Sequence, residues 1–458
     1  MNLSKILATI IMGLIYASCT PSEHLNNIKV ELFDSRHSLT FSSFLEGYKI
    51  ISLSSDTSEA IVHYPDRLLF FNNRIFVMDR GGNKIIMYDR NGRFLKSTAK
   101  MEGRGHNEYI RVIDASIDEK DKKLYVHCDA PYQMMIFDLD LNLEKIIPMD
   151  YYMGEIAIEG NQLYGICYNE PKDGGGYRFV TVDKKDLKKE PTTLLSFENA
   201  IIGRWTLGKS LMPCHDGVYV CLPFDTRIYK FKDATVTEEY NMDFGEEGLI
   251  EHPVTKDMNP RWFDKNYRDI NWSIVNMTES DSILLFNTNK AHAFIMNKNQ
   301  YKCSGYLNFD NDIFPIACAR IIPSQGLSNG VVYFTIPSSI ENMLEQVKKG
   351  NEPLTPAIKE IKQKFDPDGN PMLIVGISNN KSPAEVLPAG DFLLKNMSNP
   401  KNNQMKHNIF LYAVALLACL SCSTKQKVTV EYKDYRPLNM SSFVTFQRNI
   451  LLDTPTEE

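Results

Sequence analysis

The chain has 458 residues, with 51 Lys and Arg against 57 Asp and Glu, so its net charge is −6. That mild acidity excludes the basic footprint of a nucleic-acid binder. With 43% hydrophobic and 24% charged residues it can bury a core and is not disordered. The 24 Phe and 22 Tyr lean towards strands.

Residues 1–19 read as a targeting segment. Lys5 gives a positive start, and Ile6 to Tyr16 is an apolar run of 11 residues. That is short of the roughly 20 residues that span a bilayer but suits a signal peptide. It ends in Tyr16-Ala17-Ser18-Cys19. Small residues before a cysteine resemble a bacterial lipobox, which would leave Cys19 acylated at the new N-terminus. Several acyl chains on one cysteine give a stable membrane anchor. Tyr16 departs from the usual Leu, and an ordinary signal peptide is the plainer alternative. Residues 20–44 then form a tether and lead-in.

From 45 to 380 short strands alternate with turns. Arg74-Ile75-Phe76-Val77-Met78-Asp79 reads as a strand and Gly81-Gly82-Asn83 as a turn. Lys84 to Asp89 is the next strand, Asn91-Gly92 a hairpin signal, and Arg93-Phe94-Leu95 a third strand. The unit recurs with starts at 75, 124, 163, 218, 283 and 331. That spacing suits one four-stranded blade per unit. It predicts an all-β fold, a six-bladed β-propeller with a small helical insertion in the last blade. Tyr48 to Leu53 and Pro371 to Gly376 are placed to share that blade and close the ring. A large β-sandwich is the alternative. Ser339 to Glu345 opens one helix, and Thr355-Pro356 caps a second that runs to about Phe365.

Residues 381–404 read as a linker. Residues 405–422 look like a second signal peptide, with Leu416-Leu417-Ala418-Cys419 as its lipobox. Val430-Glu431-Tyr432-Lys433-Asp434-Tyr435-Arg436 repeats Val30-Glu31-Leu32-Phe33-Asp34-Ser35-Arg36 at four positions. With one residue deleted, Leu438 to Phe443 repeats Leu39 to Phe44 at four more, where roughly one match is expected by chance. Residues 423–458 therefore read as the truncated start of a homologous lipoprotein, joined to the first by a fusion or by the mis-joining of adjacent reading frames.

Gly103-Arg104-Gly105-His106-Asn107-Glu108-Tyr109 resembles the Gly-Arg-Gly-Pro-Gly-Glu-Tyr segment of TolB-like or NHL-like propeller lipoproteins of bacterial envelopes. Asn370-Pro371 before a closing apolar strand is similar to that family too. The resemblance covers roughly residues 25–380 and departs at His106 and Asn107. It implies fold and location, a lipoprotein in the envelope of a Gram-negative bacterium. It implies no catalytic residues.

The six cysteines outside the signal-like segments have no Cys-x-x-Cys spacing, although Cys214 and Cys221 could pair. His127 and His292 sit beside strand residues and read as structural. Asp366-x-Asp368-Gly369-Asn370 reads as a turn, lacking the distal Glu of a calcium loop. No metal or other cofactor is indicated. Two Arg-Trp pairs, Arg204-Trp205 and Arg261-Trp262, lie between units. Trp gives a platform for a sugar ring and Arg a fork for carboxylates, so these four are the candidate binding residues. Blade packing is their plainer role. The expected function is a lipid-anchored, non-enzymatic binding or scaffolding module for a glycan, peptide or envelope protein. The alternative is a lyase-, lactonase- or glycosidase-like enzyme using the central channel.

Overall fold

The computed structural model describes residues 25–378 apart from 169–176, 198–207, 215, 249–269, 291–292, 311, 313–323, 327–329 and 336. Five antiparallel units follow one another along the chain. Blade 1 is Pro65–Phe71, Arg74–Asp79, Lys84–Asp89 and Phe94–Ser97. Blade 2 is Arg111–Asp118, Lys123–Asp129, Gln133–Asp138 and Leu143–Pro148. Blade 3 is Glu155–Glu159, Gln162–Tyr168, Tyr177–Asp183 and Thr192–Phe197. Blade 4 is Leu211–Cys214, Gly217–Val220, Arg227–Lys232 and Thr235–Asp243. Blade 5 is Ile274–Glu279, Ile283–Thr288, Ala293–Asn297 and Lys302–Asp310. Blade 6 joins both ends of the domain. Gly330–Thr335 pairs with Met372–Ser378, which pairs with Leu45–Ser52 in the register Tyr48↔Gly376 and Ile50↔Ile374. The short strand Ser324–Gln325 pairs in parallel with the first strand of blade 1.

Local sequence makes the hairpins. In four of the blades the third strand ends in Asp or Asn, whose side chain accepts the backbone N–H groups of the turn. Asp89 takes those of Asn91 and Arg93. Asp138 takes those of Asp140 and Asn142, Asp183 that of Lys185, and Asn297 those of Asn299 and Gln300. Gly92 sits at φ +87°, and a Cβ there would lie 2.0 Å from the Ser52 carbonyl.

The core lies between blades, in six apolar clusters that meet end to end. Met78 and Met87 of blade 1 pack on Val126 and Met135 of blade 2. Tyr125 and Met134 of blade 2 pack on Ile156 and Leu163 of blade 3. Tyr164 and Phe179 meet Val218 and Phe231, and Tyr219 and Ile228 meet Ile274 and Leu284. Leu285 and Ile295 of blade 5 meet Ile50 and Ile374 of blade 6, and Leu373 meets Leu68 and Val77 of blade 1. Six clusters thus join six blades into a closed ring, the all-β propeller expected. Burying each Tyr, Phe or Met contributes about 1.5–3 kcal/mol.

The expected unit starts fall at the second strand of blades 1 to 5. The insertion is two helices, Pro337–Lys348 and Pro356–Lys364, between two strands of blade 6. The Thr355 hydroxyl accepts the Ile358 N–H, as its N-cap position requires. Ile340, Met343, Ile358 and Ile361 pack where blades 5 and 6 meet.

The segment expected as lead-in is built into the sheets. Leu25–Thr40 runs parallel to the last strand of blade 4, Leu25↔Glu239 to Lys29↔Asp243. It then joins the last strand of blade 5 from Val30↔Cys303 to Thr40↔Asp310. After the short helix Phe41–Phe44 the chain enters blade 6. Residues 25–52 therefore add an outer strand to three successive blades. The residues expected as linker, second signal segment and truncated lipoprotein start lie outside the described residues.

Candidate functional site

The first strands of the blades carry polar residues where the other strands are apolar. On blade 1, Asp66 and Arg67 follow Pro65, and Arg67 is wholly buried. Its guanidinium donates to three carbonyls of three other blades: Ala115 at 3.0 Å, Ile156 at 2.9 Å and Leu211 at 2.9 Å. It also pairs with Asp114 at 3.0 Å. Lys209, just before blade 4, lies 3.0 Å from both Asp66 and Asp114. Asp114 accepts the Ile156 N–H, and Glu155 accepts those of Ser210 and Leu211. Asn276 of blade 5 exchanges two hydrogen bonds with the Lys209 backbone. Gln325 bonds Ser116 and both backbone groups of Ile117.

Arg67 and Asp114 are fully buried and Lys209 is 2% exposed, while Asp66 keeps 14% of its side chain exposed. Charges so enclosed persist because each meets an opposite charge. The Arg67 terminal nitrogens are spent on carbonyls, although its Nε–H has no partner among the described residues. The arrangement holds inner strands together. A general acid or base must reach a substrate proton, and these groups face one another instead.

His127 stands beside this network on the second strand of blade 2. It is fully buried, with the Tyr152 ring 5.9 Å away and Tyr132 beyond it at 5.6 Å. Burial pulls its pKa down to about 4, against an opposing pull from Asp114 and Asp129. The folded state therefore holds it neutral, while the unfolded chain takes up a proton near pH 6.5. Stability is full above that pH and falls as pH drops from 6.5 towards 4. The expected loss through this group is about 2 kcal/mol between pH 7 and pH 5. His127→Phe should flatten that part of the profile in urea unfolding, and an unchanged slope would refute the assignment.

A second cluster lies between blades 4 and 5. Cys214, Asp216 and Glu279 bring ligand atoms within 4.8 Å of one another. Lys230 already pairs with Asp216 at 2.6 Å, and Lys298 with Glu279 at 2.9 Å. Burial, with Glu279 adding to it, pushes the Cys214 thiol well up, so it is protonated. A protonated thiol and two lysine-paired carboxylates are a poor donor set for a metal. Cys214 and Cys221, which spacing allowed to pair, are separate free thiols.

Gly103 to Tyr109 is a structural loop. The Glu108 carboxylate accepts the Gly105 N–H at 2.5 Å, and Gly103 N–H reaches the Tyr109 carbonyl at 2.9 Å. A Cβ on Gly103 would lie 2.0 Å from that carboxylate. Buried Tyr109 bonds Thr98 and the Asn83 carbonyl. His106 and Asn107, where the resemblance departs, are exposed. In the Asp366 turn, Asp366 accepts the Asp368 N–H.

Cys19, Arg204, Trp205, Arg261, Trp262 and His292 lie outside the described residues. The two connections that carry the Arg-Trp pairs end at Lys209 and at Asn271 to Ser273. Lys209 bonds Asn276 in the first strand of blade 5. Sequence reasoning missed Arg67, Asp114 and Lys209. Their signal was a charge in or just before a short strand that precedes an apolar one.

One solved structure supports the fold. The crystal structure of an exported protein from Bacteroides fragilis NCTC 9343 aligns with 78% of this chain and 100% of its own, at TM-score 0.59 and 14% identity. BamB from Moraxella catarrhalis aligns over 62% of this chain and 72% of its own, at TM-score 0.36 and 10% identity. The β-propeller domain of Cps50 (Swd1) from Myceliophteria thermophila aligns over 55% and 68%, at TM-score 0.32 and 9% identity. At these identities likeness speaks to fold alone. No curated protein matches the chain. The match to a family model spans residues 25–376, and the chain belongs to that family, the domain of unknown function DUF4934.

Proposed function

We propose that this chain is an envelope lipoprotein, anchored by acylated Cys19, whose propeller binds or scaffolds a glycan, peptide or protein partner. The observation that supports this reading is the Asp66–Lys209–Asp114–Arg67 network. Asp66, Arg67, Asp114 and Lys209 are paired with one another and with backbone, which favours recognition through the connections between blades over catalysis by these four. Arg204, Trp205, Arg261 and Trp262 fall in two such connections of the sequence. The exported character of the Bacteroides fragilis neighbour agrees with an envelope location in a Gram-negative bacterium. Residues 405–458 take no part in this function.

The test is thermal unfolding of the purified chain against envelope glycans and peptides, with each mixture analysed for products. A bound partner at 100 times its dissociation constant adds about 2.7 kcal/mol of stability. A shift with one ligand class and no product is the expected result. Conversion of that ligand would replace binding with catalysis.

A further inference from the structure

The lipid anchor has a short reach. Five residues, 20–24, separate Cys19 from Leu25, where the outer strand begins. Six steps of extended chain span at most about 20 Å. That strand is fixed from its first residues. Leu25 to Lys29 pair with Glu239 to Asp243, Asn241 donates to the Asn27 side chain at 3.0 Å, and Ile28 is fully buried. The take-off point is thus the outer edge of blade 4, beside blade 5.

The surface at this point is unusual. Large hydrophobic side chains exposed among the described residues are Leu25, Ile61, Tyr132, Tyr301 and Leu354. Two of them stand here. Leu25 is 39% exposed, and Tyr301, in the last turn of blade 5, is 48% exposed. Val30 pairs with Cys303, so Tyr301, two residues before Cys303, lies on the same edge as Leu25. Exposed Lys29 and Lys302 flank the pair, with Asp243 across from Lys29. A tyrosine presenting an apolar ring and a polar tip suits the headgroup boundary of a bilayer.

We infer that the outer edge of blades 4 and 5 rests on the membrane that holds Cys19, with Tyr301 and Leu25 at the lipid surface. This rests on the lipoprotein reading above. The ring then stands on its rim.

The test uses the mature full chain, purified with its lipid and placed in phosphatidylethanolamine–phosphatidylglycerol vesicles that contain brominated lipid. Tyr301→Trp adds a reporter at the proposed contact, and Tyr132→Trp adds one on blade 2. Emission of the parent protein is subtracted. Quenching several-fold stronger at 301 than at 132 is the expected result. Equal quenching, or none at 301 in vesicle-bound acylated protein, overturns the rim contact and leaves the anchor standing. Mass spectrometry that finds no acyl group on Cys19 overturns both.

Discussion

Replacing Arg67 with Met is expected to lower the free energy of unfolding by about 4 kcal/mol, since breaking a buried ion pair costs about 3–5 kcal/mol. The loss has two parts. Asp114 keeps its charge in a buried place with Lys209 as its remaining cation. The carbonyls of Ala115, Ile156 and Leu211 lose their donor together. Arg67→Lys should recover little, because one ammonium cannot fork across a carboxylate and three carbonyls. The double variant Arg67→Met, Asp114→Leu should cost less than the sum of its parts, because it removes both charges. Calorimetric unfolding measures all of these. A melting temperature unmoved by Arg67→Met would show that the network does not hold the inner strands.

This network explains how far the fold was legible. Central strands such as Ile283–Thr288 and Ala293–Asn297 are buried on both faces, so they read as apolar runs and marked every blade. First strands carry Arg67, Asp114, Ser116 and Glu155, which bond across blades. Their polarity hides them from an apolar pattern, although the polarity is what joins the ring. Leu25–Thr40 was hidden for another reason. It lends one strand to two sheets, with a break in register between Phe33 and Ser38, so it has no repeat of its own. Ring closure by Leu45–Ser52 was legible because both partners are apolar. The Arg-Trp pairs were chosen by chemistry alone.

Asn370 is expected to matter nearly as much as Arg67, at about 3 kcal/mol for Asn370→Leu, because several buried groups lose their partners at once. Its side chain is nearly fully enclosed, at 6% exposure. Its amide nitrogen donates to the Ser54 and Ala60 carbonyls at 2.8 Å and to the Tyr88 hydroxyl at 3.2 Å. Its oxygen accepts the Val62 N–H at 2.8 Å. One side chain therefore ties the end of the blade 6 insertion to the chain entering blade 1, at the seam of the ring. Asn370→Asp tests the donors separately. It keeps the acceptor but sets a carboxylate against three oxygens, so burial and those neighbours should raise its pKa. Stability of that variant should rise as acidification protonates the carboxyl, opposite to the fall expected from His127. Limited proteolysis supplies the spatial readout. Opening of the seam should bring the first cut into residues 53–64, and a parent-like digestion pattern with an unchanged melting temperature would remove Asn370 from ring closure.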